Sequence, residues 1–464
     1  MSGLSATRAD KDGSGEEDEA RVETGAVRGI AQRPMFAPLW EQTTPQSPEL
    51  PPLAGDCTVD FLIIGAGIAG LSTALSLAEA DRDVMVLERG EPGAGATGKS
   101  GGLIAPDFVG RNPSDILGRR GEREGRQLIR LVGESAQDCF SLIARYDMDC
   151  DAVQGGFLCP AHDEAAVQAQ QSKAEEWRAL GYDVAFLDKA EISATLGSDF
   201  YRGGLRFVQG GAINPLAFCR SLLAAARRAG ADMYAQSPVT RLMRDGEAWL
   251  VETPGGRVRA RRVVLAANGG NATLHPALKK TILPLTVYEY ATEPLSDKLR
   301  SAFLHDGAAF TDQQPYLFTG RFDQDGRFIS AFPDFLVKRG REGLESEARR
   351  RLNRYYPGLA DTAIHYLWSG TAWINPSLLP EIYRLGENAF AIQACNGRGI
   401  AVNAALGREM AAALMGKPSE IVSVLLRDPE PMRAHSLMRH LPAMIMAFAR
   451  MKSRLRAQLK GEES

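Results

Sequence analysis

Three glycines and one acid carry the first recognisable chemistry in this chain. In "DFLIIGAGIAGLSTALSLAEADRDVMVLERG" (residues 60–90), Gly65, Gly67 and Gly70 form a GxGxxG pattern between an apolar run and an amphipathic one, and Glu88 closes the next apolar run. This spacing suits a tight turn, close approach of backbone to a pyrophosphate, and close helix-to-strand packing. The helix N-terminus adds N–H groups and the positive end of its dipole. Ala66 and Ala69 keep the turn small, and Glu88, followed by Arg89, stands where an acid accepts hydrogen bonds from ribose hydroxyls. A plain structural turn with a solvated strand-end charge is the bland alternative, and it leaves the shared register of strand, glycines, helix and acid unexplained.

NAD and FAD share this fingerprint, so two glycine-rich segments further along the chain decide between them. "EPGAGATGKSGGLIAP" (residues 91–106) is a small-residue loop able to run close under a large planar ligand, and it contains Ala96, Thr97, Gly98 and Lys99. A second glycine turn, "CNGRGIAV" (residues 395–402), opens the final helix with Gly397, Arg398, Gly399 and Ile400. An ordinary nicotinamide enzyme has no need of a distant helix start aimed back at its cofactor. A flavin does, because its pyrimidine end gathers negative charge on reduction and a helix N-terminus stabilises that charge.

The elements that must position these residues can be read from periodicity. Strand, helix and strand form a βαβ unit over residues 57–90, and a charged helix runs over about 114–147. The chain then alternates between two lobes. A disordered acidic tail (1–32) and a Pro-rich extended arm (33–56) precede a first FAD-binding segment (57–147), a first substrate-lobe segment (148–205), a second FAD segment (206–283), a second substrate segment (284–370) and a third FAD segment (371–418). Residues 419–464 read as a basic helical end. In the arm, Trp40 is the expected anchor. The expected fold class is α/β: a Rossmann-like FAD lobe of glutathione-reductase type joined to a discontinuous lobe built on an antiparallel sheet.

Bulk properties narrow the partners. The chain carries 54 Lys+Arg against 57 Asp+Glu, so it lacks the basic footprint of a nucleic-acid binder. Its six cysteines lie outside any CxxC or metal-ligand spacing, which reads as a reduced cytoplasmic protein without a metal site. No segment has the length and apolarity of a membrane span. The basic end (432–460) could touch lipid, but a helix packed on its own domain is the preferred reading. Oligomeric state is not legible.

These motifs resemble the FAD-dependent D-amino acid oxidase family. The matching pieces are "DFLIIGAGIAGLSTALSLAE", "ERGEPGAGATGKSGG", "VVLAANGG", "YEYATEPL" and "NGRGIAVNAALGREMA", in that order. Within the family, the short Trp-containing arm and the "GATGKSGG" loop are most similar to the gamma-glutamylputrescine oxidoreductase branch. The resemblance implies oxidation of the C–N bond of a small amine or amino acid to an imine, with hydride transfer to flavin N5 and electrons passed on to O2 or another acceptor. It also implies that Val239 meets adenine through its backbone, with Ala267, Asn268 and Gly269 as further contacts. Some relatives hold FAD through a His in the loop or a Cys on the strand before the last glycine turn. This chain has neither, so noncovalent FAD is expected.

Lys99, Tyr290 and Trp373 are the catalytic candidates. Lys99 stands either beside flavin N5 or at the loop surface. Tyr288 and Tyr290 share one face of a strand, lining either the pocket or the core, and Trp368 and Trp373 carry the same ambiguity. Arg321 and Arg327 flank the "FDQDGR" turn, where solvation is the commoner fate and capture of a substrate carboxylate the alternative. Cys395 reads as a packed thiol. The competing functions are a nicotinamide-dependent dehydrogenase and a flavin-binding regulatory or assembly protein without turnover.

Overall fold

The structure, a computed structural model, describes residues 37–312, 314, 317–334, 340–393, 396–417 and 419–438. The expected acidic tail, Cys395 and most of the basic C-terminal segment lie outside the described residues. Among those described, no helix is long and apolar enough to cross a membrane.

Two sheets organise the chain. The first runs, in spatial order, Leu426–Arg427, Glu381–Gly386, Ala389–Gln393, Gly256–Leu265, Cys57–Ile64, Val84–Leu87, Asp232–Tyr234. Around Cys57–Ile64 the pairing is parallel on both sides, as a βαβ arrangement requires. Gly256–Leu265 has a double role. Its first half alternates exposed and buried residues while it pairs antiparallel with Ala248–Thr253, and its last three residues are buried throughout. One strand therefore serves both the hairpin with Ala248–Thr253 and the parallel pairing with Cys57–Ile64.

Helix Ile68–Ala78 is rich in Ala and Leu, good helix formers, and nearly all of it is buried. Its small residues allow close contact on both sides. A Cβ on Gly70 would meet the Gly65 carbonyl oxygen at 2.0 Å, and a Cβ on Gly407 of helix Gly399–Leu414 would meet the Ala69 carbonyl oxygen at 2.6 Å. Ser72 Oγ adds a 2.7 Å hydrogen bond to the Ala404 carbonyl. Helix Gly399–Leu414 thus lies on helix Ile68–Ala78, and its N-terminus is brought to the same cavity.

The second sheet is ordered Ile364–Ile374, Leu283–Pro294, Arg327–Pro333, Thr319–Phe322, Ala309–Thr311, Phe157–Ala161, Gly203–Phe207, Val184–Leu187. All its pairings are antiparallel except that between Ala309–Thr311 and Phe157–Ala161. One face packs on helix Arg341–Tyr355 through an aromatic cluster that includes Tyr201, Phe318, Phe328, Phe332, Tyr355 and Tyr356. The helix Lys189–Leu196, not expected from the sequence, begins with a capping box between Asp188 and Glu191, a signal present in the residues "DKAE".

The arm departs from full extension. Trp40–Thr43 forms one helical turn, and Trp40 is buried as expected.

Candidate active site

A cavity of about 1130 Å³ runs between the two sheets, above the usual range for a small-ligand cleft and of the size a dinucleotide needs. One end is lined by the first glycine turn, Glu88 and Val239, and the other by the sheet face that carries Leu285, Val287 and Glu289.

The nucleotide end is built from backbone. Gly65 has φ 110°, a conformation that favours glycine, and a Cβ there would lie 2.9 Å from Ala266. Gly67 caps helix Ile68–Ala78 without any side-chain bond. The first N–H groups of that helix, with Ile68 and Ala69 on the cavity wall, are thus available to an anion. Glu88 is held by two backbone donors: the Ala66 N–H reaches Oε2 at 2.8 Å and the Gly90 N–H reaches Oε1 at 3.0 Å. A carboxylate fixed on both oxygens still has lone pairs for ribose hydroxyls. Arg89 lies exposed at the rim.

In the loop, Ala96, Thr97 and Lys99 line the cavity. Gly98 packs beneath them, where a Cβ would meet the Gly93 carbonyl at 2.7 Å. Two indoles clamp this loop from outside. Trp40 Nε1 donates to the Ser100 carbonyl at 2.8 Å, and Trp368 Nε1 donates to the neighbouring Lys99 carbonyl at 3.1 Å. The two rings meet edge to face at 6.3 Å. Neither bond is legible in the sequence, because the donors lie far from the loop along the chain.

At the far turn, Gly397 has φ 78°, and Gly397, Arg398, Gly399 and Ile400 all line the cavity. The Arg398 side chain turns away into a buried ion cluster. It lies 2.8 Å from Asp107, which also holds Lys173 at 2.7 Å, and it sits over the Phe157 ring at 5.3 Å. Burial works against the guanidinium charge, but Asp107 prevails and holds the Arg398 pKa above its usual value. Ala267 and Asn268 are also on the wall, and Asn271, missed in the sequence, fixes that turn by accepting the Ala267 N–H at 2.8 Å.

Several catalytic expectations require correction. Tyr290 is fully buried on the opposite face of strand Leu283–Pro294 and packs toward Phe332, because the aromatic cluster behind the sheet claims both tyrosines. Trp373 is not on the cavity wall. It packs over Gly269, where a Cβ would clash with its ring. The residue facing the cavity in place of these is Glu289, since side chains alternate along a strand. Burial holds its carboxyl well above the ordinary carboxylate range, with the Arg321 charge opposing. Asp312 is a second buried acid on the wall. Burial raises it to about 6, although it accepts the Phe318 N–H at 2.8 Å and the Gln314 amide at 2.6 Å.

Arg321 is not solvated, as a turn-flanking residue was expected to be. It is 2% exposed, and its guanidinium donates to the Gly102 and Ile213 carbonyls, pairs with Asp151 at 3.4 Å and lies over the Trp40 ring at 5.3 Å. Arg327 is half-buried against Asp323 and Asp325.

These features fit a bound flavin dinucleotide: uncapped helix N-termini at two points of one cavity, glycines whose Cβ atoms would strike backbone, and an acid held for ribose. Comparison with known proteins agrees. The gamma-glutamylputrescine oxidoreductase of Escherichia coli (strain K12) is 30% identical over 364 residues, covering 77% of this chain and 84% of that protein. The probable oxidoreductase OrdL of Haemophilus influenzae is 27% identical over 373 residues, covering 79% and 85%. Among solved structures, glycine oxidase from Geobacillus kaustophilus shares the fold with a TM-score of 0.67 at 19% identity, covering 78% of this chain and 96% of that one. L-Proline dehydrogenase from P. horikoshii does so with a TM-score of 0.68 at 18% identity, covering 82% and 98%. Residues 60–413 match the DAO family, described as FAD dependent oxidoreductase, and this chain belongs to that family of FAD-dependent enzymes acting on amines or amino acids.

Proposed function

We propose that this enzyme oxidises the C–N bond of a small amine, possessing an unhindered C–H next to nitrogen, to an imine that water then hydrolyses. The observation that supports this reading is the single cavity joining the nucleotide wall at Glu88 to the substrate-lobe face at Glu289, so that a substrate on the sheet would share one chamber with the cofactor. FAD, when bound, supplies the two-electron acceptor, and O2 or another acceptor restores it. Gly65, Gly67, Ala69 and Gly70 would hold the pyrophosphate, Glu88 the ribose and Val239 the adenine. Gly397, Gly399 and Ile400 would face the pyrimidine end. Lys99, on the wall and carried by the clamped loop, is the catalytic candidate retained from the sequence, as a cation beside the redox centre.

The similarity to gamma-glutamylputrescine oxidoreductase makes polyamines and their gamma-glutamyl derivatives the first compounds to test. The experiment is anaerobic mixing of the flavin-loaded protein with these compounds, N-methyl amino acids, and D- and L-amino acids, following flavin absorbance. Rapid bleaching by an amine class is the expected result, and repetition in air separates oxidase from dehydrogenase. Bleaching by none of them would overturn the reading.

A further inference from the structure

We propose that Glu289 is the substrate anchor and that it receives the nitrogen of a cationic amine, its carboxylate meeting the ammonium group at the sheet wall of the cavity. This rests on the proposed amine-oxidising function, and it adds what the substrate must present. Glu289 lies in strand Leu283–Pro294 on a face whose preceding members, Leu283, Leu285 and Val287, are apolar. An acid on such a wall is costly unless something pairs with it. Its Oε2 is buried and has no hydrogen-bond partner among the described residues.

Among the described residues no neighbouring side chain supplies a partner to Oε2, and the one backbone group that reaches the carboxyl is the Gly101 amide. Across the strands stand Ala331, which has no polar side chain, and Trp368, whose indole N–H is given to Lys99. From the loop, Gly101 leaves space: a Cβ there would sit 3.5 Å from Oε2. Arg321 is the charged residue whose field reaches Glu289, but its donors are committed to the Gly102 and Ile213 carbonyls and to Asp151.

Of the cations on the wall among the described residues, Arg89 stands at the exposed nucleotide end, Arg398 is committed to Asp107, and Lys99 is carried by the loop rather than by the sheet. An amino acid presenting its carboxylate to this sheet would meet an acid, whereas an ammonium would meet an unpaired acceptor.

The same contact has a chemical use. An ammonium nitrogen has no lone pair, so a proton must leave before the C–N bond can be oxidised. In the empty site burial keeps Glu289 protonated; an incoming ammonium stabilises its ionised form, the acid's proton leaves to water, and transfer from nitrogen then converts R–CH2–NH3+ and –COO− into R–CH2–NH2 and –COOH. One N–H bond breaks, one O–H bond forms, and no electrons change hands. Burial favours the neutral acid that results.

The test uses the flavin-loaded protein with tert-butylamine and pivalate, two probes of the same shape and opposite charge. Neither can be oxidised, because neither has a hydrogen on the carbon bearing its polar group, so the readout is the shift of flavin absorbance on binding. Wild type is expected to prefer tert-butylamine by at least about tenfold, and Glu289→Gln to weaken it by about 10- to 100-fold, with FAD content unchanged. Glu289→Asp is expected to recover part of the loss. Preference for pivalate, binding of neither probe, or wild-type amine affinity in Glu289→Gln would overturn the proposal. If Glu289→Gln loses FAD, the wild-type preference and Glu289→Asp decide it.

The two readings fail separately. Amines that bleach the flavin equally well in wild type and Glu289→Gln would remove the anchor and leave the reaction standing. Glu289-dependent binding of tert-butylamine, with no amine bleaching the flavin, would remove the reaction and leave the anchor.

Discussion

The two ends of the cavity recognise their ligands by different means. The nucleotide end works through backbone: glycines that admit no Cβ, free N–H groups at a helix start, and one acid fixed by two amides. The substrate end is a sheet face, and its character is set by which side chains happen to alternate inward. Backbone recognition tolerates almost no substitution and is shared across a family. A side-chain wall can be rewritten one residue at a time, which is how one fold serves many substrates.

The sharpest way to break this comparison is at Gly70. Gly70→Val places a branched side chain against the Gly65 carbonyl, where even a Cβ would come within 2.0 Å, and FAD is expected to be absent from the purified protein. Stoichiometric FAD in that variant would mean the turn is not the pyrophosphate site. A smaller effect is expected at Glu88. Glu88→Ala removes the acceptor for the Ala66 and Gly90 amides as well as the ribose contact, and FAD affinity, measured by titrating the apoprotein, is expected to fall by about 10- to 100-fold.

At the substrate end, Glu289→Gln is expected to leave FAD in place and to change how stability depends on pH. Burial raises the Glu289 pKa in the folded protein, so the folded state holds a proton that the unfolded chain releases above about pH 4.3. Its contribution is complete below that pH and is lost as pH rises toward the folded pKa. The Tm of the variant should therefore gain on wild type as pH rises from about 4.3 toward the folded pKa. A gap that does not change with pH would show that Glu289 is not held neutral by the fold. The smallest effect is expected behind the sheet, where Tyr290→Phe should change stability by no more than about 1 kcal/mol and leave the rate of flavin reduction as it was. A large loss of reduction rate would restore Tyr290 to the site.

The same contrast governs what could be read from the sequence. The nucleotide end is local: Gly65 to Glu88 form one strand–turn–helix–strand unit, so type and spacing reveal it, and Gly397 announces the second helix start. The alternation of Tyr288, Glu289 and Tyr290 was equally legible, but which face met the cavity was not. That depended on Phe318, Phe328 and Tyr356, residues well downstream that build the aromatic cluster behind the sheet. Arg321 misled for the same reason. Beside a turn it reads as solvated, yet Gly102, Ile213, Asp151 and Trp40 enclose it from four separate stretches of chain. Periodicity describes a residue's neighbours along its element and carries no information about partners that only the tertiary fold supplies.

The paired indoles on the loop have a consequence for biosynthesis. Residue 40 is made early and residue 368 late, and the carbonyls they hold, at Lys99 and Ser100, lie between them. A nascent chain presents the glycine turn to solvent long before the second indole leaves the ribosome. The completed cradle therefore exists only once the chain has been made through residue 368, and a truncated product lacking that residue would carry the nucleotide signature without the clamp that shapes the chamber beside it.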